Sequence, residues 1–257
     1  MSDSKDLFVL VRIRKSGSQS LVEMATAALP ESKIYAMPPD PPLADLGVGF
    51  FEDFRRVRRI RKRLRKLFKV SDYGTAWEIV NRDAKPRDII SGHFKYGSPA
   101  LPAWDLKYIT MMREPIGRIY SEYRYCRQSY FQRPAWRRLH LAERLKVAGK
   151  GEFRDYVAYL DSFGERFANP FTGYVTGDGE VADVYDFLRE NYFHYGLLER
   201  MGEFASILSA KLGGDCKSVW KNRTEKSGTI DAESFDAKQM DRLLGRDLEL
   251  YRRIEAE

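Results

Sequence analysis

The 257-residue chain carries 44 Lys and Arg against 37 Asp and Glu, a net charge of +7, with 43% hydrophobic and 32% charged residues. These proportions suit a globular protein with a sizeable core and exclude a low-complexity or intrinsically disordered chain. Two cysteines, Cys126 and Cys216, are too few for a disulfide framework or a cysteine metal site, and no apolar run is long enough to span a bilayer. The positive balance points to anionic partners: a nucleotide, an acidic or sulfated glycan, nucleic acid or a membrane surface. Residues 1–6 are polar, lack the apolar core of a signal peptide and are expected to be disordered, and the chain reads as a cytoplasmic protein.

Residues 7–13 form a run of apolar and β-branched side chains that reads as a buried parallel strand. It ends in Arg14, Lys15, Ser16, Gly17, Ser18, Gln19 and Ser20, after which a helical pattern runs from about 18 to 29. Small and hydroxyl-bearing residues let a backbone approach an anion closely. The first turn of a helix favours negative charge, and Lys15 adds a point charge. An ordinary strand-to-helix loop has a similar composition. A nucleoside-triphosphate P-loop needs Gly-Lys-Ser/Thr at the end of the loop, whereas here Lys15 opens it, and that tripeptide occurs nowhere in the chain.

Residues 33–37 read as a second strand, and Pro38, Pro39, Pro41 and Pro42 break the chain into a loop. A basic helix is expected over 50–68. Positions 55–69 hold ten Lys or Arg and no acid, with Phe54, Val57, Ile60, Leu64, Leu67 and Phe68 at helical spacing. A shorter helix covers 75–81, a short strand 88–91 and a clear apolar strand 106–112. Arg113 then stands at a strand's carboxyl end, Pro115 sits just inside a helix, and Ser121 follows Gly117 by one turn on the same face. A guanidinium fork with a hydroxyl is suitable chemistry for a terminal phosphate. Helical patterns continue with interruptions to about 163. A helix at 181–190, a strand at 192–197, a helix at 200–212, a polar loop over 213–230 and a terminal helix near 236–254 complete the chain. Strands alternating with helices predict a single α/β domain whose mostly parallel central sheet is flanked by helices, with the ligand beyond the strands' carboxyl ends.

The two anchors together resemble the PAPS-dependent sulfotransferases, and within them the carbohydrate O-sulfotransferases related to the heparan sulfate 2-O-sulfotransferase and bacterial homologues. Residues 14–20 resemble that family's loop for the 5′-phosphosulfate of 3′-phosphoadenosine 5′-phosphosulfate (PAPS), and Arg113 to Ser121 its Arg-Asp/Glu-Pro-x-x-Arg-x-x-Ser signature. Gly92-His93 is similar to its Gly-His segment, and residues 191–200 to its segment ending Gly-Leu-x-Glu-Arg. The resemblance implies a P-loop-like sulfotransferase fold. It makes Arg14, Lys15, Ser16, Gly17, Ser18, Gln19 and Ser20 ligands of the phosphosulfate and Arg113 and Ser121 ligands of the 3′-phosphate. It makes His93 and Lys15 catalytic, with Arg118 structural or a secondary contact and no metal required. Arg14 stands where the family has proline, Gln19 replaces a small hydroxyl residue, and Ser91 stands where some relatives carry a second histidine.

The implied reaction is in-line transfer of a sulfuryl group to a hydroxyl of a carbohydrate or glycolipid, releasing 3′-phosphoadenosine 5′-phosphate (PAP). Of the three histidines, His140 lies in a charged run and reads as a surface residue, and His194 alternates with aromatics and reads as a core histidine. His93 follows a strand and a glycine at the expected site, which makes it the expected general base. Residues 169–174 fall where relatives place an acceptor-facing loop. The basic loop around Trp220, with Lys217, Lys221, Arg223 and Lys226, is positioned to close over the adenosine or to remain solvated. Segment 55–69 is expected to contact an anionic inner-membrane surface or an acidic glycan, and no nucleic acid is expected. The alternatives are a magnesium-ATP kinase of P-loop type and a non-catalytic protein that binds membrane or nucleic acid through its basic helix.

Overall fold

Alternation along the first strand sorts the core into two layers. In β1 (Asp6–Val11), Leu7, Val9 and Val11 pack on one side of the sheet, and Phe8 and Leu10 on the other. A strand buried on both faces needs such an unbroken apolar run, and this is why all five residues after Asp6 are buried. The computed structural model describes residues 5–37, 73–99, 101–177, 180–216 and 236–257.

From β1 the chain passes through α1 (Ser18–Ala28), β2 (Ile34–Ala36), α2 (Tyr73–Asp83), β3 (Ile89–Gly92) and β4 (Asp105–Met112) to the long helix α3 (Pro115–Phe131). It continues through α4 (Ala135–Arg138), α5 (Glu143–Lys150), α6 (Phe153–Asp161), a 3-10 turn (Gly164–Phe167), α7 (Pro170–Thr176), α8 (Val184–Asn191) and β5 (Tyr192–Leu197). A second 3-10 turn (Leu198–Arg200), α9 (Met201–Leu212) and α10 (Ala237–Glu255) follow.

The described strands form one sheet in the order β2-β3-β1-β4-β5, and every pairing is parallel, as the alternating pattern predicted. The chain leaves β1 for β2, returns to insert β3 beside β1, and then places β4 on the other side. Strand order therefore reverses at β1, and the crevice beyond its carboxyl end is where such sheets bind ligands. One face is covered by α1 and α9 through Leu21, Met24, Phe204 and Leu208. The other is covered by α2, α7, α8 and the end of α10 through Trp77, Phe171, Leu188 and Ile254. A third cluster, with Ile119, Tyr123, Cys126, Tyr156, Leu160 and Leu244, packs α3, α5, α6 and α10 together.

Several expectations are adjusted. The disordered tail does not reach residue 6: Asp6 begins β1, its carbonyl accepts from Arg87 N–H at 2.8 Å, and the Lys5 carbonyl accepts from Asp105 N–H at 3.0 Å. The first strand ends at Val11, two residues early: Arg12 N–H still donates to the Gly92 carbonyl, and Ile13 packs into the apolar core, but neither belongs to the strand. The helix expected over 181–190 starts at Val184, where the Asp183 carboxylate caps the Asp186 N–H. Residues 169–174 are the start of α7 rather than a loop. Phe171, Thr172 and Tyr174 are buried, and the Asp247 carboxylate from α10 accepts from Phe171 N, Thr172 N and Thr172 Oγ1, each at 2.9 Å. The basic segment 55–69 and the loop from Lys217 through Trp220 and Lys221, Arg223 and Lys226 to Ile230 lie outside the described residues.

Candidate active site

Three strands end at one place. β1 delivers residues 12–17, β3 delivers His93, and β4 delivers Arg113, all from the carboxyl edge of the sheet with β1 between the other two. Parallel pairing forces this convergence, since Val11 lies opposite Gly92 on one side and Thr110 on the other. The loop is tied to both neighbours: Arg12 N–H donates to the Gly92 carbonyl at 2.9 Å, and Thr110 Oγ1 donates to the Val11 carbonyl at 3.0 Å.

The loop itself has an unusual backbone. Lys15 takes φ 65°, a left-handed conformation that side chains rarely adopt, and Gly17 takes φ 70°. Ser16 between them is not in that region. Alternation of sign turns successive N–H groups toward one concavity, the nest arrangement that suits anions. A Cβ on Gly17 would also lie 2.6 Å from Leu198 Cδ1 and 2.7 Å from Met111 Cε, so the ends of those two side chains would have to shift. Gly17 is the N-cap of α1, and neither a capping side chain nor an acid in the first turn neutralises that helix end.

The side chains add cations. The Lys15 ammonium lies 3.5 Å from the centre of the Tyr125 ring of α3, so the loop rests against that helix. Burial lowers the pKa of the Arg12 guanidinium, whose Nε has no hydrogen-bond partner, and the buried Ser16 Oγ has none either. Unpaired buried donors around a concave loop fit an anionic group, because each would otherwise carry its full desolvation cost. Ser20 is buried at the base of α1, Ser18 and Arg14 are half-buried, and Gln19 is exposed.

Arg113 stands at the end of β4 with its guanidinium over Gly117, whose Cβ position would lie 3.6 Å from Arg113 Nε. Burial lowers its pKa, and the neighbouring Glu199 and Glu114 carboxylates act the other way. The N-terminus of α3 differs from that of α1. Glu114 caps its own helix, accepting from Ile116 N at 2.9 Å and Gly117 N at 2.5 Å. An anion at this anchor therefore meets the Arg113 fork rather than free helix N–H groups. Ser121 is half-buried one turn beyond Gly117 on the same helix. Glu199, in the 3-10 turn that follows β5, accepts from the Glu114 N–H at 3.1 Å, and burial raises its pKa.

His93 Nδ1 lies 2.5 Å from the Arg12 carbonyl oxygen. A carbonyl only accepts, so Nδ1 carries the proton and Nε2 is the basic nitrogen. Desolvation pushes the imidazole pKa down to about 3, and the positive charges of Arg12, Arg14 and Lys15 push in the same direction. The ring is therefore neutral at physiological pH. His140 is exposed and His194 is buried, with Nε2 3.0 Å from the Phe204 carbonyl, as their sequence contexts indicated.

The sequence reading missed a buried ion network beneath the loop. Glu122 receives Arg144 Nη1 at 2.9 Å and Arg118 Nη1 at 3.2 Å. Arg144, Arg118, Arg14 and Lys15 all act to hold its carboxyl ionised and its pKa below the ordinary value, against desolvation. Arg118 is thus paired within the fold, in keeping with the structural one of its two expected roles. Its i, i+4 spacing to Glu122 was the one available signal, whereas Arg144 arrives from another helix and left none. Among the described residues no cluster of His, Cys, Asp and Glu suits a metal ion, and no helix is long and apolar enough to cross a membrane.

No protein-family model matches the chain. No curated protein sequence matches it. Among solved structures, the chain is similar to mouse sulfotransferase SULT7A1 complexed with PAP, at 14% identity and TM-score 0.46, covering 99% of this chain and 88% of that one. It is also similar to a sulfotransferase from Alicyclobacillus acidocaldarius, at 18% identity and TM-score 0.41, covering 95% of this chain and 98% of that one.

Proposed function

We propose that this protein transfers a sulfuryl group from PAPS to a hydroxyl of a carbohydrate or glycolipid. The observation that carries the reading is the placement of two cationic anchors on adjacent strands: the residue 12–17 loop after β1 and Arg113 after β4. His93 completes it from β3, hydrogen-bonded to the first anchor. PAPS carries anionic groups at both its 5′ and 3′ positions, which accounts for two separated anchors better than a single phosphate chain does. The motif resemblance supports the same assignment, and the choice of a sugar hydroxyl rests on that resemblance around residues 92–93 and 196–200.

In this reading the nest formed by residues 15–17, with Arg14, Ser18, Gln19 and Ser20 around it, holds the phosphosulfate, and Arg113 with Ser121 holds the 3′-phosphate. His93 Nε2 accepts the proton of the acceptor hydroxyl as its oxygen bonds to sulfur. The bond from sulfur to the bridging oxygen breaks, and the electron pair stays on that oxygen, which leaves as part of PAP. Lys15 and the loop N–H groups meet the developing negative charge. Catalysis is then mostly positioning and charge stabilisation, as in phosphoryl transfer.

Calorimetric titration with PAP, ADP and ATP, with and without magnesium, tests the reading. PAP is expected to bind without magnesium and more tightly than ADP. Arg113→Ala is expected to lose about 10–100-fold in PAP affinity while ADP affinity changes little, because a charge-assisted fork contributes about 1.5–3 kcal/mol. Equal affinity for PAP and ADP would overturn the assignment, and magnesium-dependent ATP binding would favour the kinase alternative. Strong salt-dependent polyanion binding with no PAP affinity would favour the non-catalytic one.

A further inference from the structure

Six large apolar side chains are exposed among the described residues, and three of them stand at one corner: Phe131 (51% exposed), Trp136 (64%) and Leu139 (73%). The corner is the turn from the end of α3 into α4. Trp136 and Leu139 are three residues apart in this turn of helix and share a side. Arg138 holds the corner together. Its Nε donates to the Arg133 carbonyl at 2.8 Å and its Nη2 to the Phe131 carbonyl at 3.1 Å, while its guanidinium lies 5.1 Å from the Tyr130 ring centre and 5.4 Å from that of Phe131. Arg137 lies 4.6 Å from the Trp136 ring centre, and Arg127 lies 5.5 Å from that of Phe131.

The sequence here is cationic without interruption. Between Glu122 and Glu143 there is no acidic residue, and Arg124, Arg127, Arg133, Arg137 and Arg138 fall in that interval. Arg127 and Arg138 bond to carbonyl and hydroxyl oxygens and to rings, none of which cancels their charge.

We propose that this corner is a docking surface for an anionic lipid bilayer. An exposed Trp beside an exposed Leu, flanked by arginines, matches the requirements of the membrane interface: the apolar groups enter the headgroup boundary and the guanidinium groups meet phosphates. Leu139 decides against a soluble polyanion. It is the most exposed of the three, and an aliphatic side chain gains nothing from a sulfated glycan or a nucleic acid. Stacking partners for bases or sugars are also limited, since guanidinium groups already cover a face of Trp136 and of Phe131. The corner lies close to the candidate site. Tyr125, which carries Lys15, precedes Phe131 by six residues on α3, about 9 Å along the helix axis.

Vesicle flotation tests the proposal, comparing phosphatidylcholine vesicles with vesicles of phosphatidylcholine and phosphatidylglycerol in equal parts. The wild-type protein floats with the anionic vesicles and stays behind with the neutral ones. The double variant Trp136→Ala, Leu139→Ala and the single variant Arg137→Gln each lower the partition coefficient, the double variant by about tenfold or more. All three side chains are exposed, so melting temperatures stay as in the wild type. Failure of the wild-type protein to float with anionic vesicles overturns the proposal. So does unchanged flotation of the double variant, which would place the lipid contact elsewhere, such as residues 55–69. Binding to dextran sulfate that is lost in these variants, with no vesicle binding, would identify a soluble polyanion instead and likewise overturn it.

Discussion

His93 donates through Nδ1 to the carbonyl oxygen of Arg12 at 2.5 Å, so the residue after β3 is tied to the first residue after β1. One hydrogen bond thereby selects the tautomer of the proposed base and couples its position to the loop proposed to hold the donor. Removal of the ring should separate chemistry from binding. His93→Ala is expected to lose about 10²–10⁴-fold in sulfuryl transfer while PAP still binds. His93→Asn can donate to the Arg12 carbonyl but has no basic nitrogen, so it should be equally inactive. Wild-type turnover in the Asn variant, measured by release of PAP, would assign the base elsewhere.

The pH dependence follows from the direction of the His93 shift. In the ligand-free protein the imidazole stays neutral down to about pH 3, so kcat/KM should show no acid limb near pH 6.5 from this residue. In the proposed complex the negative charge of PAP lies against Arg12, Arg14 and Lys15, so the His93 pKa should rise in an NMR titration with PAP.

Stability has a matching sign. The unfolded histidine takes up a proton near pH 6.5, and the folded one only near pH 3. Between those values the unfolded state binds more protons, so this contribution is complete above pH 6.5 and is lost as pH falls through the window. His194, pushed down to about 4 by desolvation, acts in the same direction. Asp247, pushed up to about 6 by burial, acts in the opposite one: its contribution is present below pH 3.8 and lost as pH rises toward 6. A comparison of variants isolates the histidine. Urea midpoints at pH 7 and pH 5 should fall less for His93→Ala than for the wild-type protein.

Gly17→Ala should damage both fold and site. The residue sits at φ 70°, and the added methyl would lie 2.6 Å from Leu198 Cδ1 and 2.7 Å from Met111 Cε. Strained backbone of this kind costs about 1–3 kcal/mol, before any shift of the loop. Chemical denaturation should show that loss, and PAP affinity should fall with it because the N–H groups of the nest move together.

Glu122→Gln should be among the most destabilising conservative changes in the molecule. It leaves Arg118 and Arg144 buried without their shared carboxylate, and breaking a buried pair in this way costs about 3–5 kcal/mol. Denaturation by urea measures the loss directly. A change under about 1 kcal/mol would show that the two arginines find other partners.

The sequence alone determined the alternation of the described strands and helices and the strand-end positions of residues 12–17 and Arg113. Leu7 to Val11 reads as a strand because a two-faced parallel strand needs continuous apolar side chains. Arg113 reads as a strand-end residue because Pro115 marks the helix start after it. These are local signals, carried by neighbours in the chain. Only the tertiary structure decided what those anchors meet. The His93 bond to Arg12 spans 81 positions, Lys15 reaches Tyr125 across the site, and Arg144 joins Glu122 from a separate helix. The Asp247 cap that buries residues 171–172 reaches back from α10 and turned an expected loop into a helix. No periodicity encodes such pairs, because burial and charge pairing between distant segments are settled only when the sheet brings its strand ends to one edge.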